Sequence, residues 1–250
     1  MEPVAIIGIG CRFPGAHNPQ AFWELLRAGG DAVRETPPER WAASFYDEDA
    51  TAAGKMNTRR GGFLDQIDQF DAAFFKIAPV EAVQMDPQQR LLLEVTWESL
   101  EDAGIVPSQL AGASVGVFVG IMSNDYGEIS RFAPEVVDAY TCPGNGYCIA
   151  ANRLSYVFDF HGPSVAVDTA CSSSLVAVDL ACASLARGEC RLAIAGGVNA
   201  LLSPWGSIYF TKASLMSPDG CCKPFDAGAN GIVRGEGAGV VVLKDRKSVV

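Results

Sequence analysis

A cysteine stands at the junction between two unlike sequence patterns. The stretch "SVAVDTACSSSLVAVDL" places Cys171 after a short β-branched segment and before a run of small and apolar residues without Gly or Pro. This pattern predicts a strand, a tight turn and a helix that begins at the cysteine. The unpaired N–H groups and the dipole at a helix start favour negative charge, so they help a thiol to ionise and can hold a developing oxyanion. Cys171 is therefore a candidate nucleophile toward a thioester or ester carbonyl.

The helix after Cys171 is apolar on almost every side, and such a helix is usually buried on almost every side. We therefore expect it to lie in the interior, with Cys171 at the foot of a tunnel. The serines Ser172 to Ser174 are small enough to let a long substrate approach, and their hydroxyls can cap the first turn. The alternative is a packing role, which is commoner for a cysteine at the start of a buried helix. The only histidines, His17 and His161, lie in loop contexts that favour a surface or structural role.

Composition argues against several other kinds of chemistry. The formal net charge of −10 argues against nucleic acid as a partner, because phosphate binding needs a basic surface. The eight cysteines show no CxxC pair and no His-rich spacing, so no metal site is predicted, and we expect most of them to be small buried side chains in a reducing compartment. No apolar run approaches the ~20 residues of a membrane helix, and the first residues do not resemble a secretory signal. We predict a cytoplasmic protein that does not enter a membrane.

Strands and helices alternate along the chain, which predicts an α/β fold with a largely parallel central sheet. The segment 31–60 is polar and interrupted by Pro and Gly, so we expect a surface excursion with little regular structure. Asp86 is a candidate N-cap for a helix from Pro87 to Ala103, with Gly104 at its C-terminus. Further helices are predicted within 18–30, 145–160 and 171–188, and strands at Val4 to Ile7, Ser114 to Gly120, 163–169, 191–201 and Gly237 to Lys244.

Several motifs together resemble one family. The stretch "VDTACSSSL" resembles the active-site signature of β-ketoacyl synthases, and its triple serine is typical of ketosynthase domains of type I modular polyketide synthases. The stretches "VAIIGIGCRFPGA", "MDPQQRLLLEVTWESLEDAG" and "KASLMSPDGCCKPFDAGANGIVRGEGAGVVVLK" follow the same family's pattern in the same order. The resemblance implies a thiolase-like α/β fold, of which this chain is the first βα half of a layered αβαβα architecture, and a homodimer. Residues 1–244 are then the N-terminal part of a ketosynthase domain, and 245–250 a truncated or divergent end.

The resemblance also implies a reaction. Cys171 takes an acyl group from the phosphopantetheine arm of an acyl carrier protein, and a malonyl-type unit then loses CO2 and attacks the acyl-enzyme in a decarboxylative Claisen condensation. Such steps elongate polyketide and fatty-acid chains, and no bound cofactor or metal is implied. Phe210, in "YFTKA", resembles the position of a gating phenylalanine near the thiol and is a candidate substrate-binding residue.

The family's remaining catalytic groups are not found in this sequence. Family members carry two histidines, in HGTGT and NxGH motifs, in a second half that also holds a lysine and a glycine-rich loop, and neither His17 nor His161 matches those positions. We therefore expect a fragment that accepts an acyl group but does not complete condensation alone. The missing C-terminal half, or its equivalent, is a predicted partner, and without it the apolar side of the Cys171 layer is expected to lie uncovered.

Two other classes of protein compete with this interpretation. A non-catalytic, truncated ketosynthase used for docking or dimerisation also accounts for the absent histidines. A dinucleotide-binding oxidoreductase is suggested by "VAIIGIGCRFPG", but Phe13 stands where the fingerprint needs a glycine, and Pro14 follows where a helix should begin.

Overall fold

The computed structural model describes residues 3–131 and 134–248. The chain divides into two compact units. The sheet unit comprises residues 1–12, 66–199 and 238–250, and the loop unit comprises residues 13–65 and 200–237. Cys171 belongs to the sheet unit and Phe210 to the loop unit.

The regular elements follow one another as an alternation of strands and helices. The strands are β1 Val4–Arg12, β2 Val33–Glu35, β3 Arg60–Gly62, β4 Val115–Gly120, β5 Ser164–Val167, β6 Leu192–Asn199 and β7 Gly237–Asp245. The helices are α1 Pro19–Ala28, α2 Pro79–Gln84, α3 Pro87–Asp102, α4 Asp125–Arg131, α5 Thr141–Asn145, α6 Tyr147–Phe158, α7 Ser173–Ala186 and α8 Trp205–Lys212. The α/β class is confirmed, and every strand and helix named from the sequence is present.

The central sheet has five strands in the order β1-β7-β6-β4-β5. β4 lies parallel to both β5 and β6, but β1 pairs with β7 in antiparallel register, from Val4 opposite Asp245 to Arg12 opposite Ala238. The sheet is therefore mixed: the expected parallel arrangement is confirmed for β4, β5 and β6, and the antiparallel pair of β1 and β7 departs from it. Hydrophobic patterns locate strands but carry no information about the direction of the partner strand.

Helix α3 begins where the sequence predicts. The Asp86 carboxylate accepts a hydrogen bond from the Gln88 N–H at 2.8 Å, Pro87 occupies the first helical position, and Gly104 is left-handed at φ 66°. The helix lies so close to β1 that a Cβ on Gly8 would stand 2.2 Å from the Ser99 carbonyl oxygen. Glycine is therefore required at position 8 by this close approach.

Helix α7 packs on the centre of the sheet, against β4 and β6. Its contact face is built from small residues, and Ala177 and Ala181 are fully buried beside Phe118 and Ala195. Small side chains bring the helix close to the strands, which fixes the position of its N-terminal end.

The loop unit contains more regular structure than expected. Within the segment 31–60, β2 pairs with β3 in antiparallel register, and residues Ala43–Phe45 form a 3-10 turn. The interior of the loop unit contains the Glu236 carboxylate. This carboxylate accepts hydrogen bonds from the Leu64 N–H at 2.7 Å, the Leu201 N–H at 2.9 Å and the Arg40 guanidinium at 2.9 Å. One buried carboxylate thus joins three separate segments of this unit.

Candidate active site

Cys171 lies in the turn between β5 and α7. The helix begins at Ser173, two residues later than the sequence predicts, with Ser172 as its N-cap. Ala170, directly before the thiol, has a left-handed backbone at φ 55°. This conformation is disfavoured for a residue with a Cβ, and it persists only where the surrounding contacts impose it.

A set of short hydrogen bonds imposes the conformation of Ala170. The Asp168 carboxylate accepts a bond from the Ala170 N–H at 2.9 Å. The Ser173 hydroxyl accepts one from the Thr169 N–H at 2.9 Å and donates one to the Ala170 carbonyl at 2.6 Å, and the Ser173 N–H donates to the same carbonyl at 3.0 Å. These serine hydroxyls do not cap α7 as expected, because their bonds run back to the turn that carries the thiol.

The start of α7 lies against the carboxyl ends of two parallel strands. A Cβ on Gly120, the last residue of β4, would stand 2.7 Å from both the Ser173 carbonyl carbon and the Ser174 nitrogen. A Cβ on Gly197, in β6, would stand 2.1 Å from the Ser174 Oγ. These glycines allow the thiol-bearing turn to approach the strand ends, which is where open α/β sheets bind ligands.

The thiol is exposed, so the expectation of a tunnel around Cys171 is wrong for the described residues. Helix α7 covers the sheet with one face, while its outer side chains face away from the sheet, and Leu175 is 76% exposed. The sequence shows that α7 is apolar all round, but it does not show what covers the second face. The exposure of Leu175 agrees with the expectation that the apolar side of this layer lies uncovered.

The other cysteines do not follow the expectation that most are buried. All eight are free thiols, and only Cys11 and Cys190 are buried. Burial raises the pKa of the Cys11 and Cys182 thiols. Five cysteines are exposed, namely Cys142, Cys148, Cys171, Cys221 and Cys222. Exposure therefore does not single out Cys171, whereas its place in a strand–turn–helix junction does.

The structure places the remaining candidates as follows. His17 is exposed, and the exposed His161 ring lies 2.9 Å from the Asp159 carboxylate, so the expected surface position of both is confirmed. Phe210, in α8, is half-buried, with the Arg234 guanidinium 5.3 Å from its ring centroid. Its role near the thiol stays a prediction.

Three residues of the site escape the sequence interpretation. Gly120 ends β4 and Gly197 lies two residues before the end of β6, both in stretches that resemble ordinary glycine turns, and Ala170 has no sequence signature for a left-handed backbone. Only the pair "GG" in "AIAGGVN" offered a signal, because glycine inside a strand often marks a close backbone approach.

Neither a metal cluster nor a membrane helix is found among the described residues. Within 3–131 and 134–248, no group of three or more His, Cys, Asp or Glu side chains is arranged to hold a metal ion. In the same part of the chain, no helix combines the length and apolar character needed to cross a bilayer.

The sheet, the left-handed turn and the exposed thiol at a helix start define an α/β protein with a candidate thiol nucleophile. Residues 1–248 match the family model described as "Beta-ketoacyl synthase, N-terminal domain". The chain belongs to this family, and its fold is thiolase-like, as the sequence motifs predict. The division at residue 244 stays a prediction.

Known relatives agree with this assignment. The chain is 54% identical over 245 residues to one component of the phenolphthiocerol/phthiocerol polyketide synthase of Mycobacterium tuberculosis (strain CDC 1551 / Oshkosh), over 97% of this chain and 13% of that protein. It is 53% identical to a second component of the same synthase, over 97% of this chain and 16% of that protein. The chain thus spans about an eighth to a sixth of the length of these curated relatives.

Solved structures show the same backbone. An oxazolomycin ketosynthase domain of Streptomyces albus JA3453 superposes with a TM-score of 0.93 at 41% identity, over 100% of this chain and 44% of that one. The ketosynthase from module 6 of the bacillaene synthase of Bacillus subtilis 168 gives a TM-score of 0.88 at 40% identity, over 98% of this chain and 40% of that one. The sequence resemblance to modular polyketide ketosynthases is thereby confirmed.

Proposed function

We propose that this chain is the acyl-accepting part of a polyketide synthase ketosynthase, with Cys171 as the nucleophile. The observation that carries the proposal is an exposed thiol in a hydrogen-bonded turn, two residues before a 14-residue helix that starts near the ends of β4 and β6. The helix start offers N–H groups to a developing oxyanion.

The proposed first step is a thioester exchange. The Cys171 thiolate attacks the carbonyl of an acyl group carried on the phosphopantetheine arm of an acyl carrier protein. The bond between that carbonyl carbon and the arm's sulfur breaks, and the arm leaves as a thiolate that takes up a proton from solvent. The acyl group remains on Cys171 as a thioester, so no cofactor resident in this chain takes part.

The proposed second step is decarboxylative condensation with a malonyl-type extender. Loss of CO2 leaves an enolate that needs hydrogen-bond donors or acids to stabilise it. Both histidines of this chain are exposed and lie outside the Cys171 turn, so we propose that those groups come from a second half and that this chain alone stops at the acyl-enzyme. A homodimer, Phe210 as a gate and a cytoplasmic location remain parts of this proposal.

The other exposed cysteines provide the controls for testing the first step. The purified chain is incubated with an acyl carrier protein bearing a hexanoyl thioester, and peptide-mapped mass spectrometry locates the adduct. We expect the hexanoyl group on Cys171 in the wild type and in Cys222→Ala, and no adduct at position 171 in Cys171→Ala. A Cys222 that acylates as readily as Cys171, or a Cys171 that stays free, would refute the proposal.

A non-catalytic docking or dimerisation module is the second candidate function. The exposed apolar side chains of Leu175 and Tyr156, 76% and 86% exposed, favour it. Such a module requires no reactive thiol. An unreactive Cys171 together with self-association that Leu175→Asp abolishes, measured by sedimentation velocity, would select this alternative.

A further inference from the structure

The side chain of Ser173 holds the two residues that precede the thiol. Its hydroxyl accepts a hydrogen bond from the Thr169 N–H at 2.9 Å and donates one to the Ala170 carbonyl at 2.6 Å, so a single side chain contacts the backbone of both residues. Ser173 itself is only 4% exposed, and both of these hydrogen bonds to the exposed turn are partly buried. We propose that Ser173 is a positioning residue that keeps Ala170 left-handed and thereby fixes the Cys171 thiol at the start of α7.

The left-handed backbone of Ala170 is strained. A left-handed alanine relaxes toward ordinary backbone angles when the contacts that impose it are removed. Any such rotation at residue 170 swings the following residue, which is Cys171. Two hydrogen bonds of Ala170 remain when the Ser173 hydroxyl is lost: its N–H still donates to the Asp168 carboxylate, and its carbonyl still accepts from the Ser173 N–H. The Thr169 N–H, however, loses the hydroxyl as its acceptor.

The neighbouring serines have different contacts. The Ser172 hydroxyl is exposed and bonds to the Thr169 carbonyl at 2.8 Å. The Ser174 side chain faces the Cα of Gly197, where a Cβ would meet its Oγ at 2.1 Å. Of the three serines, Ser173 alone is described with side-chain bonds to both Thr169 N–H and Ala170 carbonyl. The importance of this position for catalysis rests on the proposed function. The positioning role itself does not, because alkylation measures the reactivity of the Cys171 thiol independently.

The test measures the alkylation rate of Cys171 by iodoacetamide relative to that of Cys222 in the same sample. Peptide mapping at a series of times gives both rates in the native chain. The variants are Ser173→Ala, Ser173→Thr, which keeps the hydroxyl, and Ser184→Ala. Ser184 is the matched control, because it is a fully buried serine of the same helix whose hydroxyl lies 3.4 Å from the Cys190 sulfur.

We expect Ser173→Ala to lower the Cys171:Cys222 rate ratio by about 10-fold, since displacements near 1 Å change reactivity by up to about 100-fold. Ser173→Thr should restore the ratio to within about 3-fold of wild type, and Ser184→Ala should leave it unchanged although it also removes a buried hydroxyl. An unchanged ratio in folded Ser173→Ala, or an equal loss in Ser184→Ala, would overturn the proposal.

A double variant covers the case in which Ser173→Ala does not fold. Glycine adopts a left-handed backbone without strain, so Ala170→Gly combined with Ser173→Ala should fold and regain most of the wild-type ratio. A folded double variant whose ratio stays low would overturn the role assigned to Ala170. If the wild type is alkylated normally but never acylated by carrier thioesters, the proposed function fails while the positioning role is still decided by the alkylation ratios.

Discussion

Replacing Glu236 by glutamine removes a buried negative charge from the loop unit. The Glu236 side chain is 0% exposed and lies 2.9 Å from the guanidinium of Arg40, which is 7% exposed. Burial raises the pKa of Glu236, and the Arg40 charge lowers it in part. The Glu236 carboxylate accepts hydrogen bonds from the N–H groups of Leu64 and Leu201, one on each oxygen. Glutamine keeps only one acceptor oxygen, so one of these N–H groups faces the amide NH2 and loses its acceptor.

The size of the effect follows from this burial. Removing one partner of a buried ion pair costs about 3–5 kcal/mol, because the remaining charge stays buried without compensation. That is a large part of the roughly 5–15 kcal/mol that stabilises a domain. Glu98→Gln is the matched control, because Glu98 also forms a hydrogen-bonded pair, with Arg12 at 2.7 Å, but its side chain is 35% exposed. A partly exposed pair contributes about 0–1 kcal/mol.

Urea unfolding followed by circular dichroism measures the loss in the free energy of unfolding for Glu236→Gln and for Glu98→Gln. A second comparison combines Glu236→Gln with Arg40→Met. The second substitution removes the positive charge that Glu236→Gln leaves buried without a partner. We expect Arg40→Met to cost at least about 1.5 kcal/mol less in the Glu236→Gln background than in the wild type. The reasoning is wrong if Glu236→Gln costs no more than Glu98→Gln, or if the two substitutions at the pair simply add.

Two further predictions concern a buried acid in α3 and a close approach beneath α7. Burial raises the pKa of Asp86 to about 6. The folded protein therefore holds this proton more tightly than the unfolded chain, and the resulting stability is complete below about pH 4. As the pH rises through 6, roughly 3 kcal/mol of the free energy of unfolding is lost. Asp86→Asn should remove this pH dependence from urea titrations between pH 4 and 8, and an unaltered profile contradicts it. Gly120→Ala should cost about 1–3 kcal/mol and slow Cys171 alkylation, because the new Cβ meets the Ser173 and Ser174 backbone. Gly235→Ala, where a Cβ has ordinary contacts at 3.8 Å, is its control, and equal losses would argue against the close approach.

The elements that the sequence predicted are those with strong local signals. The β-branched runs marked the strands, and Asp86 followed by Pro87 marked the start of α3. Helix α8 was not predicted, because its eight residues mix aromatic, β-branched and glycine residues without a clear apolar stripe. Strands β2 and β3 were missed because three-residue strands are too short to show a periodic pattern.

Properties that depend on distant partners could not be predicted locally. The antiparallel pairing of β1 with β7 joins residues more than 200 positions apart, and no turn signal connects them. The burial of α7 was overestimated because an apolar helix shows that it needs cover but not whether the described residues supply it.

The site was predicted in part. Cys171 could be identified because a thiol between a strand and a helix start is a local pattern, and the family motifs around it are specific. The left-handed Ala170 could not, because its conformation comes from hydrogen bonds to Asp168 and Ser173 rather than from its own residue type. The glycines at 120 and 197 matter through the helix that approaches them, and that packing appears only in three dimensions.

The central claim is that the Cys171 sulfur accepts an acyl group from a carrier-bound thioester. Its most direct test is the rate of acyl transfer to each cysteine of the native chain, resolved by peptide mass spectrometry. We predict that Cys171 is acylated at least about 10-fold faster than the exposed Cys222, since of these two thiols only Cys171 lies in the turn that leads into a helix start. Equal rates at the two thiols, or acylation confined to Cys222, would contradict the account.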